Sequence, residues 1–325
     1  MEKELLTLNN ISKWYGDRKK QALVLDHIHL VVKEHDFITI LGKSGCGKST
    51  LLRIIAGLIE PDEGEVLYQG EKFTPASPRM AMVFQSHALF PWLNVLENVE
   101  LGLEALDLKP HERRKRAIEA IDLIGLDGYE SAFPKELSGG MRQRVGFARA
   151  LVVNPDILLL DEPFSALDVL TAENIRNDLM ELWIEQRIPT KAIIMVSHNV
   201  TEAVELASRV IILNHDPGRI LKEINLLLIY PRDETSHLFQ DFVDNIYTTL
   251  LSTAEYPSHI KAKTVVGMDY RLPNISIHQL QGLMDALMEA PYHGKADIFA
   301  LADSENLSTN DVAAINFLAP FPLHC

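Results

Sequence analysis

Two glycine-led stretches of this chain have the residue types that hold phosphate, and they differ in what accompanies them. The first is "GKSGCGKST", residues 42–50, directly after the apolar run "FITIL" and before "TLLRIIAGL". Its glycines let the backbone curl until successive N–H groups face one anion, and a helix starting behind the loop adds its positive end. Lys48 has the reach for the β- and γ-phosphates of a nucleotide, and the Ser49 hydroxyl is a Mg²⁺ ligand by type and place. The expected nucleotide contacts are therefore Gly42, Lys43, Ser44, Gly45, Cys46, Gly47, Lys48, Ser49 and Thr50. The second stretch is "LSGG", where Ser138, Gly139 and Gly140 precede the helical run "MRQRVGFARAL". It offers a hydroxyl, main-chain amides and a helix N-terminus, but no lysine and no metal ligand. Taken alone it reads either as half of a phosphate site completed by another copy or as an ordinary helix cap.

An acidic pair closes the run "DILLLDEP". Asp161 is expected at the carboxyl end of a buried parallel strand, where open α/β sheets bind ligands, and so in place to hold Mg²⁺ through water. Glu162, one residue on, points elsewhere and has the chemistry to take a proton from an attacking water. Such a pair alone is as often a helix cap; beside a lysine-bearing phosphate loop it is a catalytic candidate.

These residues need a scaffold, and the apolar pattern supplies one. Four short runs, 37–41, 156–160, 192–196 and 209–213, have the length and β-branched content of buried strands, with helical or loop-like sequence between them. The pattern predicts a parallel sheet with helices on its faces. Earlier, "LTLNNISKWY" and "LVLDHIHLVV" alternate as antiparallel strands do. Residues 93–136 read as a helical insert, with "VLENVELGLEAL" and "HERRKRAIEAIDLIGL" each apolar at helical spacing. After about residue 222 the strand rhythm stops. The segment 231–264 reads as a helical connector, and a small unit follows from about 266, where "STND" at 308–311 has the form of a capping box.

The bulk numbers describe an ordinary globular protein: 325 residues, 47% hydrophobic and 23% charged, with two cysteines, Cys46 and Cys325. No apolar run approaches the length of a bilayer span, and "MEKELLTLNN" lacks the apolar core of a secretory signal, so a reducing, cytosolic setting is expected. A net charge of −14 argues against nucleic acid as a partner. The basic runs "DRKK" and "ERRKR" are expected to be solvated faces.

Six motifs in order resemble those of the ATP-binding subunits of ABC transporters. "GKSGCGKST" is similar to Walker A, "FQSHALFPW" to the Q-loop through Gln85, and "LSGGMRQ" to the signature. "ILLLDEP" is similar to Walker B, "SALD" to the D-loop, and "MVSHNVTEA" to the H-loop through His198. The resemblance covers residues 1–225 and implies a P-loop NTPase cassette: a parallel-sheet core, an antiparallel β subdomain, and a helical subdomain at about 93–140. It implies that two copies close head to tail around two MgATP, each signature capping the γ-phosphate held by the other copy's loop. It further implies that Tyr15 stacks on adenine, with Trp14 as a rival. Gln85 would sense Mg²⁺ and the attacking water, and link the site to a permease. His198 would hold the γ-phosphate and orient Glu162, and Asp168 would touch the opposite subunit. One departure stands out: the resemblance usually carries Gly-Glu before the first buried strand, where this chain has His35 and Asp36.

Within that family, "LFPWLNVLENVELGLE" and "SRVIILNHDPGRI" are similar to subunits of importers for nitrate, sulfonates, taurine and bicarbonate. The expected partners are a second copy, transmembrane permease subunits and, indirectly, a periplasmic binding protein, at the cytoplasmic face of the membrane. Residues 226–265 would be the connector. Residues 266–325 resemble an AAA-associated C-terminal domain, with a helix spacing that would pass for a winged helix; the shortness of the stretch implies an incomplete version. Its seven acids against Arg271 and Lys295 argue for protein contact rather than DNA. The alternatives are an ABC ATPase of export or lipid trafficking, or a soluble non-transport ABC ATPase, which usually carries two cassettes or long inserts.

Overall fold

Ten strands and seven α-helices make up the residues that the computed structural model describes, 3–16, 21–73 and 79–252. The "DRKK" run and the whole of the expected C-terminal unit lie outside them. Two sheets form. Strands β1 (Glu4–Tyr15), β2 (Ala22–Lys33), β4 (Glu63–Tyr68) and β5 (Glu71–Lys72) pair antiparallel in the order β2-β1-β4-β5. The central sheet takes β3 (Phe37–Gly42), β6 (Met80–Val83), β7 (Ile157–Asp161), β8 (Ala192–Val196), β9 (Arg209–Leu213) and β10 (Ile220–Asn225), in the order β10-β9-β3-β8-β7-β6. Every neighbouring pair in it is parallel except β10 with β9. The four apolar runs are thus the four inner strands.

Alternation along those inner strands sorts the core into two layers. Ile38, Ile40, Leu159, Ile194, Val196 and Ile211 face helix α1 (Lys48–Ile55) and the antiparallel sheet. Leu158, Leu160, Ile193, Met195, Val210 and Ile212 face the other helices. These are α2 (Val95–Glu100), α3 (Pro110–Leu123), α4 (Gly139–Leu151), α5 (Val169–Ile184), α6 (Val200–Leu206) and α7 (His237–Ser252). The basic run of α3 lies opposite the buried Ala117, Ala120 and Ile121, and Arg116 pairs with Glu112 at 2.6 Å. Among the described residues no helix is long and apolar enough to cross a membrane.

Two local readings need adjustment, and the departure before the first buried strand takes a definite form. The helix expected over 95–106 stops at Glu100 and gives way to a 3₁₀ turn at Leu101–Leu103. Gly102 sits so close to α4 that a Cβ on it would lie 2.6 Å from the Arg149 carbonyl, and the chain tightens to make that approach. The strand rhythm runs on to Asn225 instead of ending near 222, because β10 is a half-exposed edge strand without a continuous apolar signal. The turn before β3 closes without the usual glycine: His35 itself takes φ +68, while its N–H donates to the Lys191 carbonyl at 2.7 Å. Asp36 then accepts from the Lys33 N–H at 2.7 Å and pairs with Arg209 at 2.5 Å, although burial pushes its carboxyl above the usual carboxylate range.

Candidate functional site

Strands β3, β8, β7 and β6 are adjacent and parallel, so their carboxyl ends open on one edge. That edge carries the loop after β3, Glu162 after β7, His198 after β8 and Gln85 after β6. Residues far apart in sequence meet there because a parallel sheet places every strand's carboxyl end on one side.

At two of its glycines the loop after β3 is packed too closely for a side chain. Gly47, at φ +98, is the N-cap of α1, and a Cβ on it would lie 2.7 Å from Leu25 Cδ2. A Cβ on Gly42 would lie 2.6 Å from Cys46 Sγ. Lys48 spans the loop: its ammonium, 7% exposed as a residue, donates to the Gly42 carbonyl at 2.8 Å and the Lys43 carbonyl at 3.2 Å. Cys46 is buried, and burial pushes its thiol up. Lys43, Ser44 and Gly45 are exposed, and Thr50 lies half-buried in the first turn of α1. Behind the loop the Ser49 hydroxyl donates to Asp161 Oδ1 at 3.0 Å. A hydroxyl and a buried carboxylate side by side are hard oxygen donors of the kind Mg²⁺ takes, so the residues fit that ion.

Glu162 follows in a strained conformation, φ +47, with its N–H on the Val196 carbonyl at 3.0 Å. Its Oε2 lies 3.3 Å from His198 Nδ1 and 3.4 Å from Gln85 Nε2, which also donates to Ser165 Oγ at 3.1 Å. The structure therefore brings Gln85, Glu162 and His198 into one cluster, with Ser165 as a member that sequence reasoning missed.

His198 is presented by a clamp that also went unread. Glu202, buried on α6, accepts a hydrogen bond from the Ser197 hydroxyl, and that oxygen accepts from the Asn199 N–H at 3.0 Å. Asn199 Oδ1 in turn caps α6 by accepting from the Glu202 N–H at 3.2 Å. Both neighbours of His198 are thus tied to one residue, Ser197 to the Glu202 carboxyl and Asn199 to the Glu202 N–H. Burial pushes the Glu202 carboxyl up, against the opposing Ser197 bond and Arg176, whose Nη1 is 3.8 Å away. Arg176 is held at 2.9 Å by Glu205, another carboxyl raised by burial. Glutamate four residues beyond the histidine was the available signal, but nothing in a sequence says it turns inward.

The second glycine stretch opens α4. Ser138 is exposed and caps the helix, accepting from the Met141 N–H at 3.2 Å. Gly140 is buried, and a Cβ on it would lie 2.3 Å from Thr171 Cγ2; one on Gly139 would meet Leu167 Cδ2 at 3.6 Å. Further along, α4 grips the loop that follows Gln85: Gln143 bonds His87, and Arg149 donates to the carbonyls of Ala88 at 2.5 Å and His87 at 2.9 Å. Asp168 is exposed and caps α5 through the Thr171 N–H at 3.0 Å, and its hydrogen bonds with Thr171 hold its carboxyl below the usual range. Tyr15 is 42% exposed at the end of β1, with the Lys13 ammonium 5.8 Å from its ring. Trp14 is half-buried and gives its N–H to Asp62 at 2.7 Å.

Comparison with known proteins agrees with this geometry. The model of the ABC transporter family matches residues 25–165. An aliphatic sulfonates import ATP-binding protein, SsuB, of Bacillus cereus is 43% identical over 236 residues, 73% of this chain and 92% of that protein. An uncharacterized ABC transporter ATP-binding protein of Methanocaldococcus jannaschii is 42% identical over 75% of this chain and 91% of its own length. Among solved structures, the dimeric structure of MJ0796, a bacterial ABC transporter cassette, superposes with a TM-score of 0.61 at 36% identity, over 69% of this chain and all of that one. A dimeric post-hydrolysis state of that cassette, bound to ADP and Pi, gives 0.60 at 35% identity with the same coverage.

Proposed function

The chain belongs to the ABC transporter family of ATP-binding proteins and is an ATPase of that family, and from this premise we propose that it drives an importer of a small anion such as nitrate, a sulfonate, taurine or bicarbonate. The observation that carries the catalytic part is the convergence of Ser49, Asp161, Gln85, Glu162 and His198 on one sheet edge beside the loop of Lys48. The sulfonate importers among its relatives support the anion class.

In this reading residues 42–50 hold the phosphates of ATP through main-chain N–H groups, with Tyr15 stacked on the adenine. Ser49, Gln85 and Asp161 would hold Mg²⁺, Asp161 through water. When bound, that ion offsets charge on the phosphate oxygens. Lys48 exchanges its two carbonyl partners for phosphate oxygens. Glu162 Oε2 takes the proton of a water attacking in line, and His198 keeps that carboxylate aimed while its exposed ring reaches the γ-phosphate. In this reading a second copy closes the far side of the pocket. The partner's Ser138 and the partner's Gly140 do so, with Asp168 at the same interface, and this is why a helix N-terminus without a lysine lies on the helical subdomain. The dimer sits on the cytoplasmic face of the membrane. Its grip on a permease comes through the segment after Gln85, where Phe90 and Trp92 are 42% and 69% exposed.

The test is copurification of the full chain with its permease, followed by transport assays. ATP-dependent uptake of one of these anions, lost on Glu162→Gln, supports the reading; a purified complex that hydrolyses ATP and moves none of them overturns the anion assignment.

A further inference from the structure

The stretch "NHDPGR", residues 214–219, belongs to no motif of the catalytic edge, yet it is built against the phosphate loop. It joins β9 to β10 and is closed by the Asn214 N–H on the Arg219 carbonyl at 2.9 Å. Its second half lies along β2 in a short parallel bridge, Leu25 with Gly218: the Gly218 N–H donates to the Val24 carbonyl and its carbonyl accepts from the Asp26 N–H, both at 2.9 Å. Gly218 is buried, and a Cβ on it would lie 2.2 Å from the carbonyl oxygen of Cys46 and 2.9 Å from that of Val24. The fifth residue of the phosphate loop therefore rests directly on the Gly218 backbone. At the loop's first residue the support is the sheet itself, since a Cβ on Gly42 would lie 2.9 Å from the carbonyl of its β9 partner Leu213. Outside, Arg219 pins the turn to β2: its Nε donates to Asp26 Oδ2 at 2.7 Å and its terminal nitrogen bonds the same oxygen.

We propose that the 214–219 turn is a floor that fixes the phosphate loop from below, making Gly218 and Arg219 positioning residues for nucleotide binding. The proposal rests on the reading that residues 42–50 hold the phosphates. The reasoning is geometric. An anion held by main-chain N–H groups is bound only as well as those groups are aimed, and a peptide unit cannot swing toward a neighbour already in van der Waals contact with it. The central sheet fixes Gly42 and helix α1 fixes Gly47; the peptides between them have neither support, and the turn reaches them at Cys46. Alanine at 218 must push the Cys46 carbonyl away, because the two atoms nearest its methyl, the Cys46 and Val24 carbonyl oxygens, both belong to the backbone. Loss of the Arg219 guanidinium frees the turn without adding bulk.

The experiment measures ATP affinity of the full chain by displacement of a fluorescent ATP analogue. It is paired with melting of the nucleotide-free protein and with phosphate release at saturating ATP. Wild type and Lys48→Ala define the site. Gly218→Ala is expected to raise the dissociation constant about tenfold or more, and Arg219→Ala by a few-fold, with kcat at saturating ATP changed far less, since a displaced group acts mainly through aim. Arg219→Lys, which keeps a cation near Asp26, should recover part of the loss. A merely structural role would lower the melting temperature and leave affinity and the KM-against-kcat split alone. If Gly218→Ala does not fold, Arg219→Ala decides. Should Lys48→Ala lose ATP while both turn variants bind as wild type does, the floor is wrong and the phosphate reading stands. Should wild type not bind ATP, or Lys48→Ala bind normally, the reading fails and the floor with it.

Discussion

His198 Nδ1 and Glu162 Oε2 lie 3.3 Å apart, although the two residues follow different strands. The contact exists because β7 and β8 are adjacent and parallel, and because Glu162 adopts a left-handed backbone that turns its carboxylate back over the sheet edge. An amide at 162 keeps the shape and most hydrogen bonds but cannot take a proton. Glu162→Gln should leave ATP binding intact and lower phosphate release by about 10²–10⁴-fold. Near-normal release would remove Glu162 from the proton-accepting role.

Gly140 sets two effects against each other. Alanine is a better helix former by about 1 kcal/mol. Against that, its methyl would meet Thr171 Cγ2, and overpacking at such a contact costs about 1–3 kcal/mol. The clash should win, so Gly140→Ala lowers stability in denaturant unfolding. In a Thr171→Ser background, which lacks that methyl, the same substitution should be neutral or stabilising. Equal losses in both backgrounds would mean that α4 and α5 are not held at this contact.

Glu202 gives a pH signature with a definite sign. Its native carboxyl is raised above the ordinary 4.5 by burial, so the folded chain holds that proton more tightly than the unfolded chain does. The stability this contributes is complete below the unfolded value and is lost as pH rises through the native one. The groups facing it are Ser197, Arg176, His198 and Glu162, with Glu205 behind Arg176. Glutamine keeps an acceptor for the Ser197 hydroxyl and has no proton to lose. The melting temperature of Glu202→Gln relative to wild type should therefore climb as pH rises above the ordinary 4.5, with phosphate release largely retained. A difference that does not change with pH would place the Glu202 titration elsewhere.

What the sequence made legible follows from what each residue depends on. The runs at 37–41 and 192–196 are buried on both faces, and a strand in that setting needs nothing but apolar residues, so composition alone reveals it. The edge strand β6, at Met80–Val83, is half-buried and carries no such signal. Lys48, Ser49, Asp161 and Glu162 were legible because a phosphate loop and a strand-end carboxylate are local patterns. The clamp of Glu202 on Ser197 and Asn199 was not: it depends on a side chain turning inward on a later helix, which tertiary packing decides. His35 is the opposite case. The missing glycine was plain in the sequence, but only the structure shows that the turn survives because a histidine accepts a left-handed backbone.

Sharing of each pocket between two copies is tested most directly by the mass of the Glu162→Gln chain in ATP, read by light scattering. That variant should become a dimer on adding ATP. Adding Ser138→Arg should return it to a monomer that still binds ATP, since loss of the Ser138 cap removes only about 1 kcal/mol from α4. A Ser138→Arg chain that melts normally and still dimerises with ATP would contradict the shared pocket.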